Sequence, residues 1–486
     1  MAEDLLLQKS FLDDIGSIVD ELVSKTQQTC LLLPTPILAK NGNLYNGVIA
    51  AQNGKIIGQS YKNELPNYGI FDEKRYFTAG TPSIISVNGI KIGVPICEDI
   101  WSPQVCGKLK ASGAQIFLVP NGSPYEKGKM AKRIKLVQNR YQETGIAIVY
   151  CNQVFGQDGV IFDGNSFCYD GELKLVGKAF EPDQQLIEFT GNRLTPSYSY
   201  SPALNQYEEI LSAMILGVRD YVHGNNFNKV ILGLSGGIDS AVVAVISKEA
   251  LGKENVTAYM LPSRFTSTES INDATELASR LSIRLESIDI SEIFLAFLQT
   301  LSANGSVIKE GSIAYQNLQS RIRGTILMAQ ANETNSLLIT TGNKSEYGTG
   351  YATIYGDMNG AFNPIKDIYK TELYLLANYI NQKMQVIPEQ IITKAPTAEL
   401  AFNQKDNDSL PDYYILDKVL EDHIENKLGC FELAQKYTPE LAKRVVQLVK
   451  TSEFKRRQSA PGVKISKVNF EKDRRFPITN YYSNSN

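Results

Sequence analysis

Short apolar runs separated by turn signals dominate the chain up to about Thr190. Leu31, Leu32 and Leu33 with Ile37 predict a buried strand. Residues 48–52 and 56–60 flank Asn53-Gly54, a strong two-residue hairpin signal. Residues 84–87 and 90–96 repeat the device around Asn88-Gly89, and 115–119 and 146–150 are further short strands. Between them, 129–145 has helical spacing, with Ile134, Val137 and Tyr141 on one face. Hairpins mixed with a few helices predict a mixed sheet rather than a purely parallel one.

The polar stretch 193–202, with Pro196 and Pro202, reads as a linker and divides a domain over 1–195 from one over 203–486. After a helix ending near His223 the pattern alternates regularly. Strands are predicted at 229–234, 256–261, 283–290 and 336–341, and helices at 239–251, 269–281, through Ala331 and over 367–381. Such alternation implies right-handed crossovers and a doubly wound parallel sheet, with ligands at the carboxyl ends of its strands.

Composition narrows the class. The 486 residues carry 49 Lys+Arg against 52 Asp+Glu, a net charge of -3, which argues against a general nucleic-acid binder. No run approaches the ~18 apolar residues of a membrane span, and the first ten residues lack a basic signal-peptide region. Six cysteines without paired spacing fit free thiols in a reducing cytoplasm. With only His223 and His423, His-rich zinc sites and a Ser-His-Asp triad are disfavoured.

The sharpest motif is Gly233, Leu234, Ser235, Gly236, Gly237, Ile238, Asp239 and Ser240, between an apolar strand and an apolar helix. Two glycines let the backbone curl with its amides converging, and the helix start adds partial positive charge. Ser235 and Ser240 offer hydroxyls, and Asp239 suits Mg²⁺. A glycine-rich turn with a Ser/Asp helix cap would also explain a short Ser-Gly-Gly stretch. The terminal Gly-Lys-Ser/Thr of a Walker loop is absent. The spacing resembles the pyrophosphate loop of ATP pyrophosphatases, which split ATP into AMP and pyrophosphate.

Other segments are similar to NAD synthetases: Asn317-Leu318-Gln319-Ser320-Arg321-Ile322-Arg323-Gly324, Thr340-Thr341-Gly342-Asn343-Lys344-Ser345-Glu346, and the stretches 351–358, 394–410, 453–458 and 473–480. The resemblance implies that residues 233–240 and Thr341 bind ATP, and that Asn317, Glu346 and Lys455 bind deamido-NAD. Asp357 and Lys370 are secondary candidates from the same region. Lys344 suits the leaving pyrophosphate, and Asp239 with Glu346 suits the metal. One departure is Leu261-Pro262-Ser263-Arg264-Phe265-Thr266-Ser267, where the family has a Pro-Ser-Pro-Tyr-like segment.

The first half carries a second constellation. Lys62-Asn63-Glu64-Leu65-Pro66-Asn67-Tyr68-Gly69-Ile70-Phe71-Asp72-Glu73 and Ile96-Cys97-Glu98-Asp99-Ile100-Trp101 resemble the nitrilase-type amidase domain of glutamine-dependent NAD synthetases. The resemblance implies Cys97 as the thiol that attacks glutamine, Lys62 as the oxyanion stabiliser, and Tyr68, Ser123 and Lys129 as glutamine-binding residues. The triad's glutamate lies in the family just before a Pro-Glu-Asp-Leu-Leu-Leu-like segment, whereas this chain opens Met1-Ala2-Glu3-Asp4-Leu5-Leu6-Leu7. The first strand, first helix and second strand, with the general base, are therefore expected to be missing. Either the true start lies upstream, or the amidase half is degenerate and the enzyme uses free ammonia.

The expectation is an α/β chain: an incomplete nitrilase-like α-β-β-α sandwich followed by a Rossmann-like ATP pyrophosphatase domain. It would amidate deamido-NAD using Mg-ATP and ammonia, drawn from glutamine and passed through an internal tunnel. The alternatives are an ammonia-only NAD synthetase with a remnant domain, another ATP pyrophosphatase such as a GMP or asparagine synthetase, and a nucleotide-sensing scaffold. The resemblance also implies a homo-oligomer, while the charge balance, the lack of a long apolar run and the cysteine spacing point to a cytoplasmic chain with no nucleic-acid or membrane partner.

Overall fold

The computed structural model describes residues 2–199, 204–402, 404, 406–480 and 482. Met1 of the opening motif, linker positions 200–202, the expected domain start at 203, and 403 and 405 within the 394–410 segment lie outside the described residues. By contacts the chain divides into two units, Met1–Phe155 with Phe162–Leu204, and Gly156–Ile161 with Asn205–Asn486.

In the first unit, β1 (Leu31–Leu38), β2 (Leu44–Gln52) and β3 (Lys55–Tyr61) form an antiparallel sheet. Asn53 and Gly54 turn the second hairpin with φ of 52° and 72°, and Asn88 and Gly89 turn the next with 48° and 81°. These left-handed pairs are what a tight hairpin needs, which is why Asn-Gly signals it. β4 (Ile84–Val87), β5 (Ile90–Gly93), β6 (Ile116–Asn121), β7 (Ala147–Asn152), β10 (Phe167–Tyr169) and β11 (Leu173–Leu175) make a six-stranded sheet, with β8 (Val154–Gln157) and β9 (Val160–Asp163) a separate pair. The sheet's order is β11-β10-β7-β6-β5-β4, parallel only across β5, β6 and β7, so it is mixed as the hairpin pattern predicts.

Strand alternation sorts the side chains into layers. Val48 and Ala50 of β2 share a core with Ile92, Ile116 and Ala147 of the larger sheet. Ile49 and Ala51 turn the other way, onto Val19 and Val23 of α1 (Lys9–Ser24). On the far face of the larger sheet, α2 (Pro103–Ala111) and α3 (Lys129–Thr144) pack Val105, Leu109, Leu136 and Val137 against Phe117, Ile148 and Tyr150. The result is an α-β-β-α sandwich. The expected linker begins as structure: β12 (Ile187–Thr190) pairs with β13 (Arg193–Pro196), and Leu194 is buried in the inter-sheet core. Its single apolar side chain outweighs the polar composition around it.

Besides the tip of the β8–β9 pair, the second unit holds α4 (Gln206–Gly224), then alternates β14 (Val230–Gly233), α5 (Ile238–Leu251), β15 (Val256–Met260), α6 (Thr268–Leu281) and β16 (Arg284–Ser287). After α7 (Ser291–Ala303) and α8 (Ile313–Glu333) comes β17 (Leu337–Ile339). All four strands are parallel, in the order β16-β15-β14-β17. The chain winds outward from β14 through β15 and β16, then returns to the other side of β14 with β17. The crevice between the carboxyl ends of β14 and β17 is thus a topological switch point, where open α/β sheets bind ligands. α9 (Lys344–Thr349) and α10 (Lys370–Met384) follow β17. The helix predicted from 367 starts at Lys370, and the Asp367 carboxylate before it accepts from the amides of Ile465 and Ser466 at 2.8 and 2.7 Å.

Candidate functional site

A cavity of about 300 Å³ occupies the switch point of the second unit. Residues 233–240 line one side, and Thr340, Thr341 and Glu346 line another. Gly236 sits at φ 77°, and a Cβ there would lie 2.4 Å from the Ser270 carbonyl oxygen, so both conformation and space demand glycine. The serines brace the loop from within. The Ser235 amide donates to Ser240 Oγ at 3.2 Å, the Gly237 amide donates to Ser235 Oγ at 3.2 Å, and Ser240 Oγ donates to the Gly237 carbonyl at 3.0 Å. The loop is therefore held open by its own hydroxyls, rather than presenting all of its amides outward.

Asp239, at the start of α5, accepts a hydrogen bond from Asn343 Nδ2 at 2.8 Å and pairs with the Lys370 ammonium. Lys370 Nζ also stands 3.7 Å from Glu346 Oε1, so one cation bridges two carboxylates. Glu346 is placed by a capping box. Its amide donates to Asn343 Oδ1 and its carboxylate accepts from the Asn343 amide, each at 3.1 Å. Burial and the neighbouring Asp239 charge hold the Glu346 carboxyl well above the usual range, while the two carboxylates push Lys370 upward. Among the described residues no cluster of three or more His, Cys, Asp or Glu side chains could hold a metal. Asp239 and Glu346, two hard oxygen donors, both line the cavity, and a pair of carboxylates is the sparse protein ligation that Mg²⁺ accepts beside water and phosphate oxygens.

Lys344 is a correction. Instead of facing the cavity, it is 0% exposed, with Nζ 3.0 Å from Asp367 Oδ1 and 2.9 Å from Glu425 Oε1. It also donates to Ser466 Oγ at 2.5 Å and the Val468 carbonyl at 2.9 Å. The lysine that reaches the cavity is Lys370. Asn317 and Lys455 do not line the cavity either. Asn317 accepts from Thr353 Oγ1 at 2.9 Å, and Lys455 donates to the carbonyls of Gly350 and Ala352 at 2.8 and 2.9 Å. Both bear on a segment whose Tyr351 and Ala352 form part of the wall. Asp357 lines the cavity and accepts from the Thr353 amide at 2.6 Å.

Two further cations at the wall, Arg323 and Lys394, escaped the sequence reading although both lie in stretches quoted for the resemblance. Arg323 donates to the Leu261 carbonyl at 2.9 Å, and desolvation lowers its pKa to about 10. Lys394 pairs with Ser270 Oγ and stands 3.8 Å from Asp273 and 4.0 Å from Glu399. In the departed segment, Pro262 and Thr266 line the cavity, while Arg264 turns to Glu310 and Tyr315.

The first unit gathers its candidates around Cys97. β5 ends at Gly93, earlier than expected, and Cys97 opens a short 3-10 turn over Cys97–Trp101 with φ 49°, unusual for a side chain-bearing residue. Asp99, 0% exposed, fastens that turn to the chain following Lys62. Its carboxylate accepts from the amides of Ile96, Asn63 and Glu64 at 3.0, 3.0 and 2.8 Å. Burial raises the Asp99 carboxyl to about 6. Lys62, 1% exposed, donates to Glu73 Oε1 at 2.6 Å. Desolvation pushes the Cys97 thiol up, opposed first by Lys62 and then by the Gly122 amide.

Tyr68 donates to Glu98 Oε1 at 2.9 Å, and the charges of Cys97 and Glu126 act on its hydroxyl. Lys129 Nζ lies 5.7 Å from the Trp101 ring centre and 3.9 Å from Glu126. Ser123 is buried and accepts from Arg133 Nε at 3.0 Å. The sequence does not mark Glu73 or Glu98 as site residues, since the eleven-residue step from Lys62 to Glu73 carries no periodic signal.

The NAD synthase family profile matches residues 210–459, and the carbon-nitrogen hydrolase profile matches 18–188. A curated glutamine-dependent NAD(+) synthetase of Thermotoga maritima is 39% identical, aligned over 99% of this chain and 90% of its own length. One of Xanthomonas campestris is 41% identical over 99% and 89%. The solved structure of the Acinetobacter baumannii glutamine-dependent NAD+ synthetase, in complex with adenosine diphosphate, superposes with a TM-score of 0.78 at 38% identity, covering 98% of this chain and 89% of that one. With full-length similarity at these identities, and a described fold of one amidase-like and one synthetase-like unit, the chain belongs to the glutamine-dependent NAD(+) synthetase family.

Proposed function

We propose that the protein amidates deamido-NAD to NAD in two half-reactions, each run by one unit. In the synthetase unit, the nicotinate carboxylate attacks the α-phosphorus of ATP and pyrophosphate leaves. Ammonia then attacks the acyl carbon of the adenylate, AMP leaves with the carbon–oxygen bond, and the nitrogen loses a proton. The observation that carries this reading is the crevice between β14 and β17, where a glycine loop and a carboxylate pair converge in a chain of this family.

The reading assigns the triphosphate to residues 233–240 and Thr341, with Lys370, Arg323 and Lys394 as candidate counter-charges. Deamido-NAD falls to Glu346 with the Asn317 and Lys455 neighbourhood. Mg²⁺, when bound, would be held by Asp239 and Glu346 and would neutralise phosphate charge. Displacement of Lys370 from between those carboxylates would leave its ammonium available to a phosphate.

In the amidase unit, the Cys97 sulfur attacks the glutamine amide carbon and the carbon–nitrogen bond breaks, the thiol proton passing to the nitrogen that departs as ammonia and leaves a thioester; water then cleaves the thioester, releasing glutamate and restoring the thiol. Lys62 faces the developing oxyanion, and Glu73, 2.6 Å from its Nζ, fixes where that buried side chain points. Tyr68, Ser123 and Lys129 would hold the substrate. A cytoplasmic homo-oligomer accompanies this reading; the six cysteines are free, and among the described residues no helix is long and apolar enough to cross a membrane.

The test is NAD formation from deamido-NAD and ATP, with glutamine and with ammonium chloride. One AMP and one pyrophosphate per NAD are expected, with both donors supporting turnover. Pyrophosphate release indifferent to deamido-NAD would overturn the synthetase assignment. Turnover with ammonium but none with glutamine would favour the ammonia-only alternative.

A further inference from the structure

An ion pair beneath Ser123 has no part in the chemistry above. Arg133 of α3 and Asp163 at the end of β9 meet at 2.9 Å, with side chains 0% and 2% exposed. The rest of the guanidinium closes on one short stretch of chain. Nε donates to Ser123 Oγ at 3.0 Å, and the second terminal nitrogen donates to the carbonyls of Ser123 and Pro124 at 2.8 and 3.0 Å. Asn152 completes the clamp. It accepts from the Ser123 amide at 3.0 Å and donates to the Ser123 carbonyl at 3.1 Å and to Asp163 at 3.4 Å.

The amide, carbonyl and hydroxyl of Ser123 are thus all engaged from below. One residue earlier, the Gly122 amide is among the groups that pull the pKa of the Cys97 thiol down against its burial. A fully buried ion pair is a poor way to gain stability, because desolvation offsets most of the attraction. A rigid five-donor fork is, by contrast, well suited to fixing several acceptors at once.

We propose that Arg133, oriented by Asp163, is a positioning residue for the glutamine half-reaction: it fixes the turn through Ser123 and Pro124 so that Ser123 meets glutamine beside Cys97. This rests on the reading of Cys97 as the glutamine-attacking thiol. A lysine at 133 keeps the charge opposite Asp163 but cannot span Ser123 and Pro124 together. Displacements of ~1 Å in such supports cost on the order of 10²-fold.

The experiment uses the full chain and follows Cys97 alkylation by iodoacetamide through peptide mass spectrometry, alongside glutamate formation from glutamine. For Arg133→Lys, the glutamine concentration giving half-protection of Cys97 rises about 10- to 100-fold. Glutaminase kcat/KM falls in parallel, and the pH profile of alkylation moves to higher pH. Asp163→Asn moves all three readouts in the same direction, and combining the two substitutions adds little. A purely structural role would lower the melting temperature without moving the alkylation pH profile. The proposal is overturned if either single variant, folded by its melting transition, stays within twofold of the unsubstituted protein in protection and kcat/KM. If the unsubstituted chain shows neither glutamate formation nor protection by glutamine, the glutaminase reading itself is what fails.

Discussion

Replacing Lys344 by methionine separates the two roles that its position suggests. Methionine nearly fills the volume of the lysine stem but removes the ammonium that stands 3.0 Å from Asp367 and 2.9 Å from Glu425. Asp367 keeps the amides of Ile465 and Ser466, but the Glu425 carboxylate, 6% exposed, loses its cation. Removing one partner of a buried pair costs about 3–5 kcal/mol. At roughly 2–4 °C per kcal/mol for a domain of this size, the melting temperature of the synthetase unit should fall by about 6–20 °C. Below the transition, ATP-dependent pyrophosphate release should keep its KM for ATP within about threefold, since the removed charge does not face the cavity. A phosphate ligand would behave oppositely, losing about 10²–10³-fold in turnover with the fold intact. Calorimetry and a pyrophosphate-release assay on the same preparation decide between them. An unchanged melting curve with abolished pyrophosphate release would refute the geometry argued for Lys344.

Further outcomes follow from the same contacts. Lys62→Met should lower glutamine-supported NAD formation by about 10²–10³-fold, and Glu73→Gln should follow it, because the 1%-exposed ammonium then loses the carboxylate paired with it at 2.6 Å; a comparison of glutamine with ammonium chloride as donor reads this. Gly236→Ala should destabilise by at least about 1–2 kcal/mol and impair ATP use, since φ 77° disfavours a side chain and the new Cβ would strike the Ser270 carbonyl; denaturant titration and the KM for ATP check it. Asp99 gives a pH signature. Its carboxyl is raised from 3.8 to about 6, so between those values the native state binds more protons than the unfolded one, and stability declines as pH rises through that window. Relative to Asp99→Asn, which has no such titration, the unsubstituted protein should lose up to about 3 kcal/mol between pH 4 and 6.5 and nothing more above; denaturant midpoints at the two pH values measure it.

Local grammar made much of this molecule legible. Asn53-Gly54 and Asn88-Gly89 marked hairpins because few other residue pairs tolerate two left-handed conformations in succession. The Ser-Gly-Gly loop announced itself because a strand, a tight curl and a helix start leave little choice of residue. What stayed hidden depends on partners far away in sequence. The direction of Lys344 is decided by Glu425 and Ser466, 81 and 122 residues downstream, and nothing in its own segment encodes that. Lys370 reaches the crevice because its partner Asp239 lies 131 residues upstream. The linker was misread at its start because the burial of Leu194 is set by the sheets, not by its polar neighbours.

The four-stranded parallel sheet carries a consequence for anyone re-engineering the enzyme. Because every strand points the same way, the two rims of the sheet are unequal: the carboxyl rim borders the cavity at β14 and β17, and the amino rim receives the turns that enter each strand. The turns at the amino rim, such as the one through Gly252 or the one at Asn335, both with positive φ, feed strands from behind. Lengthening those turns, or grafting a reporter peptide there, remodels the rear of the scaffold while the front keeps its register.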